Sequence, residues 1–154
     1  GIRTIRETEA AMEAGMLRQY PTMGYGPYRV ALTPDDTPIG ICGLFQRDYL
    51  PVPDLGFCLL PDYRRRGFTE EASRAVLEMA KTELKLDRVA AIVAVGNHAS
   101  ITLIRKLGGV EGCSHPSTRV EDTDQAGHSL QNSLRPPGLP ESTRLFEIVL
   151  CEQH

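Results

Sequence analysis

The sequence lacks the broad positive charge of a general nucleic-acid binder. Its 17 Lys and Arg residues are outnumbered by 20 Asp and Glu residues, which gives a formal net charge of −3. The sequence pI is about 5.8. Because a nucleic-acid-binding domain needs a basic face, we expect no nucleic-acid partner. A local run of basic residues in such a chain favours a small ligand instead.

Metal and redox motifs are also missing. The four cysteines, at positions 42, 58, 113 and 151, form no C-x-x-C pair, and the four histidines have no metal-ligand spacing. Cys42 and Cys58 fall inside apolar runs, where a free cysteine behaves as a small hydrophobic residue. The sequence therefore predicts reduced core cysteines in a cytoplasmic protein, with no metal site.

No stretch is long and apolar enough to cross a bilayer, and no signal peptide is visible, so no membrane partner is expected. The length of 154 residues suits a single domain over 1–154, and 41% hydrophobic residues is an ordinary globular composition. Because the chain opens with Gly1, a natural start upstream and a further N-terminal strand stay open.

The spacing of apolar residues predicts helices alternating with strands. Thr4 and Glu7 form a capping-box pattern that predicts a first helix over 7–18, followed by a Gly- and Pro-rich loop over 21–27. Residues 114–142, rich in Pro and polar residues, predict a long loop, either a lid or an insertion. Alternating apolar and polar residues predict a strand over 28–33, and a second strand follows over 39–48. Nearly continuous apolar runs predict strands buried on both faces over 54–60 and 88–95, and a last strand covers 144–150. Helical spacing predicts helices from 69 and from 98.

The order of these elements predicts an α/β or α+β fold with a mixed sheet. The first two strands are expected to form a hairpin, since a short turn of Asp and Pro residues joins them. The strands over 54–60 and 88–95 enclose a helix, so we expect them to be parallel with a right-handed crossover.

The stretch "YRRRGFTEEA", residues 63–72, joins a predicted strand to a predicted helix. A helix start exposes unpaired amide groups and the positive end of the macrodipole, and both attract anions. Gly67 allows close approach because it has no Cβ. The arginines and the glycine together predict a phosphate or pyrophosphate site, although a solvated surface patch is the simpler alternative.

This run resembles the acetyl-coenzyme-A loop of the GNAT acyltransferase superfamily, whose pattern is Arg/Gln-x-x-Gly-x-Gly/Ala. The match runs from Arg64 to Thr69, with Thr69 standing where the family has Gly or Ala. The longer stretch "DLGFCLLPDYRRRGFTEEA" is similar to the branch that acetylates ribosomal-protein N-termini. Downstream, "NHASITLIRKLGG" resembles that branch's N-x-x-S-x-x-x-x-x-K-L-G-F. The resemblance covers residues 28–112 well and the tail poorly.

The resemblance implies a mixed, mostly antiparallel central sheet with a splayed pair of parallel strands, flanked by helices. It implies acetyl-CoA as cosubstrate, with direct attack by an amine of a small molecule or peptide and no covalent enzyme intermediate. The positions that match cofactor-binding residues lie on the third strand, the loop and the two following helices: Phe57, Cys58, Leu59, Arg64, Arg65, Arg66, Gly67, Phe68, Thr69, Glu70, Asn97 and Ser100.

Two residues are candidates for proton transfer under the same resemblance. Asp54 matches a carboxylate that precedes Ile-Gly in the related stretch, and it is the candidate general base. The family often protonates the leaving thiolate with a Tyr, but that position is Ile104 here, which leaves Ser100 or water. Gly109 stands where the family usually has Phe, so the packing below that helix end is expected to differ.

Simpler interpretations stay open for several of these residues. Asp54 could be a solvent-facing residue at a strand start, and Asn97 an ordinary N-cap. Glu70 and Glu71 could relay protons through water, or they could complement the first turn of their helix.

Three functions stay open at this point: an active N-acyltransferase, a GNAT-like module that binds acyl-CoA without turnover, and an anion-binding domain for nucleotides. The last lacks a P-loop Lys-Ser/Thr pair and a G-x-G-x-x-G motif and ranks lowest. The acceptor amine and the oligomeric state, including a homodimer, are also open.

Overall fold

The computed structural model describes residues 4–112 and 142–150, which form one mixed sheet flanked by helices. The helices are α1 (Ile5–Ala14), α2 (Gln19–Met23), α3 (Phe68–Thr82) and α4 (His98–Lys106), with 3-10 turns at Met16–Arg18 and Pro61–Tyr63. The strands are β1 (Pro27–Ala31), β2 (Pro38–Phe45), β3 (Asp54–Leu59), β4 (Arg88–Ala94), β5 (Val110–Glu111) and β6 (Thr143–Val149).

The strand order is β1-β2-β3-β4-β6-β5. Strand β3 is parallel to β4, and every other neighbouring pair is antiparallel. The predicted hairpin, the parallel pair and the mixed fold class are therefore confirmed. Helix α3 packs on β2 and β3, and α4 packs on β4. Each of these helices follows the carboxyl end of one of the two parallel strands.

The N-terminal region differs from the prediction. The capping box of Thr4 and Glu7 is present, but helix α1 ends at Gly15, whose backbone angles (φ −115°, ψ −87°) are not helical. A 3-10 turn and α2 follow, so the loop predicted over 21–27 is wrong for its first three residues. Pro21 fits in α2 because it lies in the first turn, where its missing N–H has no partner to lose. The two-residue strand β5 is too short to leave a pattern in the sequence.

The core lies between the sheet and the inner faces of α3 and α4. On α3 the buried residues recur at three- and four-residue steps along one face: Ser73, Val76, Leu77 and Ala80. The hydroxyl of Ser73 lies 3.7 Å from the Cys42 sulfur, which gives this polar core residue a partner. Cys42 is 1% exposed, as expected of a core cysteine.

Several predictions fall outside the described residues: Cys113, Cys151 and nearly all of the predicted 114–142 loop. No helix in the described part of the chain has the length and apolar character needed to span a membrane.

Gly109, at the position where the resemblance implies a Phe, lies directly on Ile104. A Cβ at Gly109 would lie 2.4 Å from Ile104 Cγ2 and 2.8 Å from the Ile104 carbonyl oxygen. We expect Gly109→Ala to lower the free energy of unfolding by about 1–3 kcal/mol, because the contact includes backbone that cannot move aside. Urea titration would measure the change.

Gly96→Ala is the matched control, because no atom lies within 4 Å of a Cβ at that position. Its stability should stay within about 0.5 kcal/mol of wild type. Equal stabilities for the two variants would contradict the packing account of Gly109.

Candidate active site

The site is built where the two parallel strands separate. Their pairing register holds one residue pair, Asp54 with Ala90, and the Ala90 amide donates to the Pro53 carbonyl at 2.8 Å. Two residues further along β4, the Ile92 amide donates to Oδ1 of Asp54 at 3.0 Å. Beyond this point no residue pair is registered between these two fully described strands, so the facing edges of β3 and β4 diverge.

The alternation of backbone groups decides which part of β3 faces this gap. Pro53 presents its carbonyl to β4, whereas the Leu60 amide donates to Ile39 on the β2 side at 2.8 Å. Since backbone groups alternate sides along a strand, the amide and carbonyl of Phe57 face the gap, and those of Cys58 face β2. Of the three strand residues predicted to bind cofactor, Phe57 and Leu59 therefore face the gap with their main chain. The Leu59 carbonyl already accepts from Nε of Arg64 at 2.9 Å, which leaves Phe57 as the better candidate to pair with a ligand.

The turn after β3 has an unusual backbone that ends in an open helix terminus. Arg65 has φ of 58° and Gly67 has φ of 88°, both left-handed. Gly67 is the N-cap of α3, and no described side chain caps this helix. By contrast, Thr4 caps α1 and Asn97 caps α4 through side-chain hydrogen bonds. The first-turn amides of α3, together with its dipole, form a site suited to an anion.

The three arginines have three different environments. Arg64 donates from Nε to the Leu59 carbonyl at 2.9 Å and so braces the turn. The guanidinium of Arg66 lies over the rings of Tyr63 and Phe68, 5.8 Å and 5.1 Å from their centroids. Arg65 contributes to the wall of the adjoining cavity. The run of positive charge is therefore not one cluster.

A cavity of about 520 Å³ lies between the end of β3, the turn, and the starts of α3 and α4. All predicted cofactor residues except Arg66 and Phe68 line it. Two lining residues were missed, Ala99 and Leu103, which lie four residues apart on α4. The lining residues are Phe57, Cys58, Leu59, Arg64, Arg65, Gly67, Thr69, Glu70, Asn97, Ala99, Ser100 and Leu103.

The prediction that Cys58 is a core residue is wrong. Its side chain is exposed and lines the cavity, while Leu55 and Leu59 are buried. A continuous apolar run suggested burial on both faces, but the splay of β3 from β4 uncovers the strand at this point. The run alone could not reveal that.

Asp54 is 2% exposed, so the interpretation of Asp54 as a solvent-facing residue is wrong. Its Oδ2 accepts from Nε of Arg47 at 2.8 Å, and its Oδ1 accepts from the Ile92 amide. Burial raises the pKa of the Asp54 carboxyl, while the hydrogen bond and charge of Arg47 and the Ile92 amide oppose that rise. Asp54 does not line the cavity.

Helix α4 begins at the cavity, and Asn97 is its N-cap, as the simpler interpretation of this residue predicted. Asn97 Oδ1 accepts from the Ser100 amide at 3.1 Å. Ser100 itself lines the cavity, whereas Ile104, one turn further along, is fully buried in the core. The position that the resemblance matches to a tyrosine is therefore occupied by a core side chain.

Glu70 links the two helices beside the cavity. Its carboxylate accepts from Lys106 on α4 at 2.6 Å and from Arg74 at 3.1 Å. The hydrogen bond from Lys106, followed by that from Arg74, lowers the pKa of Glu70. Glu70 is therefore a poor proton acceptor, and Lys106 and Arg74 offset its negative charge near the start of α3.

Within residues 4–112 and 142–150, no group of three or more His, Cys, Asp or Glu could hold a metal ion.

A family model described as an acetyltransferase (GNAT) domain matches residues 2–110. The chain belongs to the GNAT acetyltransferase family. It is thus an acyltransferase by family, and the assignment agrees with the mixed sheet and its splayed parallel pair.

Solved structures of GNAT proteins share the fold at low sequence identity. An acetyltransferase from Agrobacterium tumefaciens matches with a TM-score of 0.69 and 19% identity, covering 96% of this chain and 73% of that one. A GNAT-family acetyltransferase from Bacillus anthracis matches at 0.66 and 17%, covering 97% and 77%. Spermidine N-acetyltransferase from Vibrio cholerae, in complex with CoA and spermine, matches at 0.65 and 17%, covering 97% and 77%.

The raised pKa of Asp54 predicts how stability depends on pH. Above the ordinary aspartate pKa of about 3.9, the native state holds this proton more tightly than the unfolded state does. The stabilisation from this group is complete below that pH and is lost as pH rises through the native pKa. We therefore expect Asp54→Asn, which has no such proton, to gain stability relative to wild type as pH rises from about 4. Thermal melts of both proteins between pH 4 and 7 would measure the difference, and a constant or falling difference would contradict this account.

Proposed function

We propose that this GNAT protein transfers an acetyl group from acetyl-CoA to a primary amine by direct attack in a ternary complex. The observation that carries the proposal is the open N-terminus of α3, which meets a cavity bordered by the unpaired edge of β3. A diphosphate suits the helix terminus, and an amide-containing arm suits a strand edge with free backbone groups.

The chain's own residues divide the binding work in this proposal. The amides of residues 65–70 hold the pyrophosphate, with Arg64 and Arg65 adding charge. Phe57 pairs with the pantetheine arm through its main chain, and Asn97 contacts the same arm through its side-chain amide nitrogen, since Oδ1 serves the helix cap. Arg66 and Phe68 support the turn by ring contact rather than by touching the ligand.

Acetyl-CoA supplies the acyl group as a thioester. The amine nitrogen forms a bond to the carbonyl carbon, the carbon–sulfur bond breaks, and CoA leaves as a thiolate. The nitrogen loses one proton to give the amide, and the thiolate takes up one proton, so the transfer balances. The amide of Phe57 is the candidate donor to the carbonyl oxygen, where negative charge develops. Cys58 has its backbone paired toward β2 and has no base marked beside it, so we give it no covalent role.

The proton-transfer roles of Asp54 and Ser100 stay predictions. Ser100 lines the cavity and could protonate the leaving thiolate. Asp54 is enclosed and both of its oxygens accept hydrogen bonds. Glu70 is the weaker alternative for a base, because Lys106 and Arg74 favour its ionised form.

The acceptor is proposed only as a primary amine. The sequence motifs favour the branch that acetylates ribosomal-protein N-termini, whereas the Vibrio cholerae neighbour is a spermidine N-acetyltransferase. Both acceptor types present a primary amine. A panel of N-terminal peptides, polyamines and aminoglycosides, assayed by release of the CoA thiol, would separate these acceptor classes.

A second candidate function is an acyl-CoA-binding module with little turnover. The buried Ile104 at the family's tyrosine position and Thr69 in the loop favour it. Isothermal titration with acetyl-CoA, followed by the thiol-release panel, distinguishes the two functions. Binding without thiol release on any amine would favour the sensor, and a preference for ATP would favour a nucleotide site.

Gly67→Trp should weaken acetyl-CoA binding by about a hundredfold or more, because the indole would fill the approach to the first-turn amides. Space is open around a Cβ at Gly67, so the side chain has room to extend from the turn. Titration calorimetry would give the affinity, and far-UV circular dichroism would verify the fold.

Gly108→Trp is the matched control. Gly108 has φ of 90°, close to the 88° of Gly67, and it also has open space around a Cβ, but it does not line the cavity. Both variants should lose about 1–2 kcal/mol of stability from the left-handed backbone. An affinity unchanged in Gly67→Trp, or lost equally in both variants, would count against the loop as the pyrophosphate site.

Arg65→Gly should separate stability from affinity. Glycine relieves the left-handed strain at φ of 58°, which should raise stability by about 1 kcal/mol, while loss of the guanidinium should weaken acetyl-CoA binding. Lys85→Gly is the control, since Lys85 has φ of 55° and lies away from the cavity. It should gain similar stability with no change in affinity; wild-type affinity in Arg65→Gly would remove Arg65 from the site.

A further inference from the structure

We propose that Asp54 is a positioning residue that ends the pairing of β3 with β4 and so opens the cofactor gap. Its carboxylate accepts a hydrogen bond from the Ile92 amide, which is the donor that the next backbone hydrogen bond between β4 and β3 would need. The consequence for acetyl-CoA rests on the function proposed above. The hydrogen bond between the Ile92 amide and Asp54 is a feature of the sheet and does not depend on that function.

The first line of evidence is the direction of the Ile92 amide. In a regular parallel pair, amides two residues apart on one strand donate to the same neighbouring strand. The Ala90 amide donates to β3 through the Pro53 carbonyl, so the Ile92 amide also faces β3. It donates to the Asp54 side chain at 3.0 Å, at the place where the registered pairing ends.

The second line of evidence is that Asp54 is held from its other side. Oδ2 accepts from Arg47, whose guanidinium lies over the Phe45 ring, 5.9 Å from the centroid. Phe45 is the cross-strand partner of Asp54 on β2. The same ring lies against Gly56, where a Cβ would come within 2.6 Å of Phe45 Cε2. These contacts direct the second oxygen of Asp54 toward β4.

The third line of evidence is the cost of the arrangement. A carboxylate that is 2% exposed pays a large desolvation penalty, and apolar residues are often as good or better for stability alone. A general base also needs access to its substrate, yet Asp54 lies outside the cavity lining and both of its oxygens are engaged. Positioning of the strand accounts for the buried, doubly hydrogen-bonded carboxylate more directly than base catalysis does.

The proposal makes opposite demands on two conservative variants. Asp54→Asn removes the charge but keeps a carbonyl oxygen at the right length for the Ile92 amide; Arg47, whose side chain is 41% exposed, can turn to solvent. Asp54→Glu keeps the charge but adds a methylene that displaces the oxygen from that amide. A positioning role needs the geometry, whereas a general base needs the carboxylate.

The test measures the dissociation constant for acetyl-CoA, the pH profile of kcat and the Ile92 amide resonance in both variants. We expect Asp54→Asn to bind acetyl-CoA within about threefold of wild type, and Asp54→Glu to bind at least about tenfold more weakly. Any fall of kcat at acidic pH that the wild-type protein shows should persist in Asp54→Asn. The Ile92 amide should keep its hydrogen-exchange protection in the Asn variant and lose it in the Glu variant.

The reverse pattern would overturn the proposal. If Asp54→Asn lowered kcat by about 10²–10⁴ at wild-type affinity while Asp54→Glu retained turnover, Asp54 would be the general base. If both variants kept the wild-type affinity for acetyl-CoA and the hydrogen-exchange protection of the Ile92 amide, the positioning role of Asp54 would also be refuted. If the wild-type protein failed to bind acetyl-CoA, the proposed function would fall, and the Ile92 amide in the unliganded variants would still decide whether Asp54 holds the strand.

Discussion

The site depends on a parallel pairing that stops after one registered residue pair. Strand β3 pairs with β2 over six residues, and β4 pairs with β6 over seven, so each half of the sheet is continuous in itself. The two halves meet at Asp54 and Ala90 and then separate. Unpaired strand edges normally attract other strands, and native sheets cover or blunt them. Here the unpaired edge of β3 lies beside the cavity, where a ligand with amide groups can complete the ladder.

The turn after β3 turns this gap into a charged cleft. Left-handed backbone at Arg65 and Gly67 leads into α3 with no described side chain over its first amides. Arg64 donates from Nε to the Leu59 carbonyl, so besides lining the cavity it holds the turn against the end of β3. Glu70 would oppose an anion at this point, but Lys106 and Arg74 pair with it. The positive character of the cleft therefore comes mainly from backbone geometry and dipole, with side-chain charge as an addition.

Much of the fold was readable from the sequence because the elements that form it have strong patterns. The two antiparallel strands, the parallel pair and helices α3 and α4 appear close to their predicted positions, since their apolar spacing follows the period of each structure. Features set by tertiary contacts were not readable. Cys58 is exposed where β3 is no longer paired with β4. Asp54 is buried against partners that are distant in the chain, such as Ile92. Arg66 looked equivalent to Arg65, but ring contacts with nearby aromatic residues turn it away from the cavity.

The departures from the family at α4 belong together. Ile104 fills the core at the position that the sequence resemblance matches to a tyrosine, and Gly109 carries no side chain that would collide with Ile104. This end of the helix is therefore packed for stability and offers no proton donor. The proposed chemistry tolerates the lack of a proton donor at this position. A thiol has a pKa of about 8.5, so its thiolate is a weak base compared with an alkoxide. Asn97 and Ala99 line the cavity and are exposed, so the cavity is open to water at the start of α4. Solvent or Ser100 can then complete the proton balance without a dedicated acid.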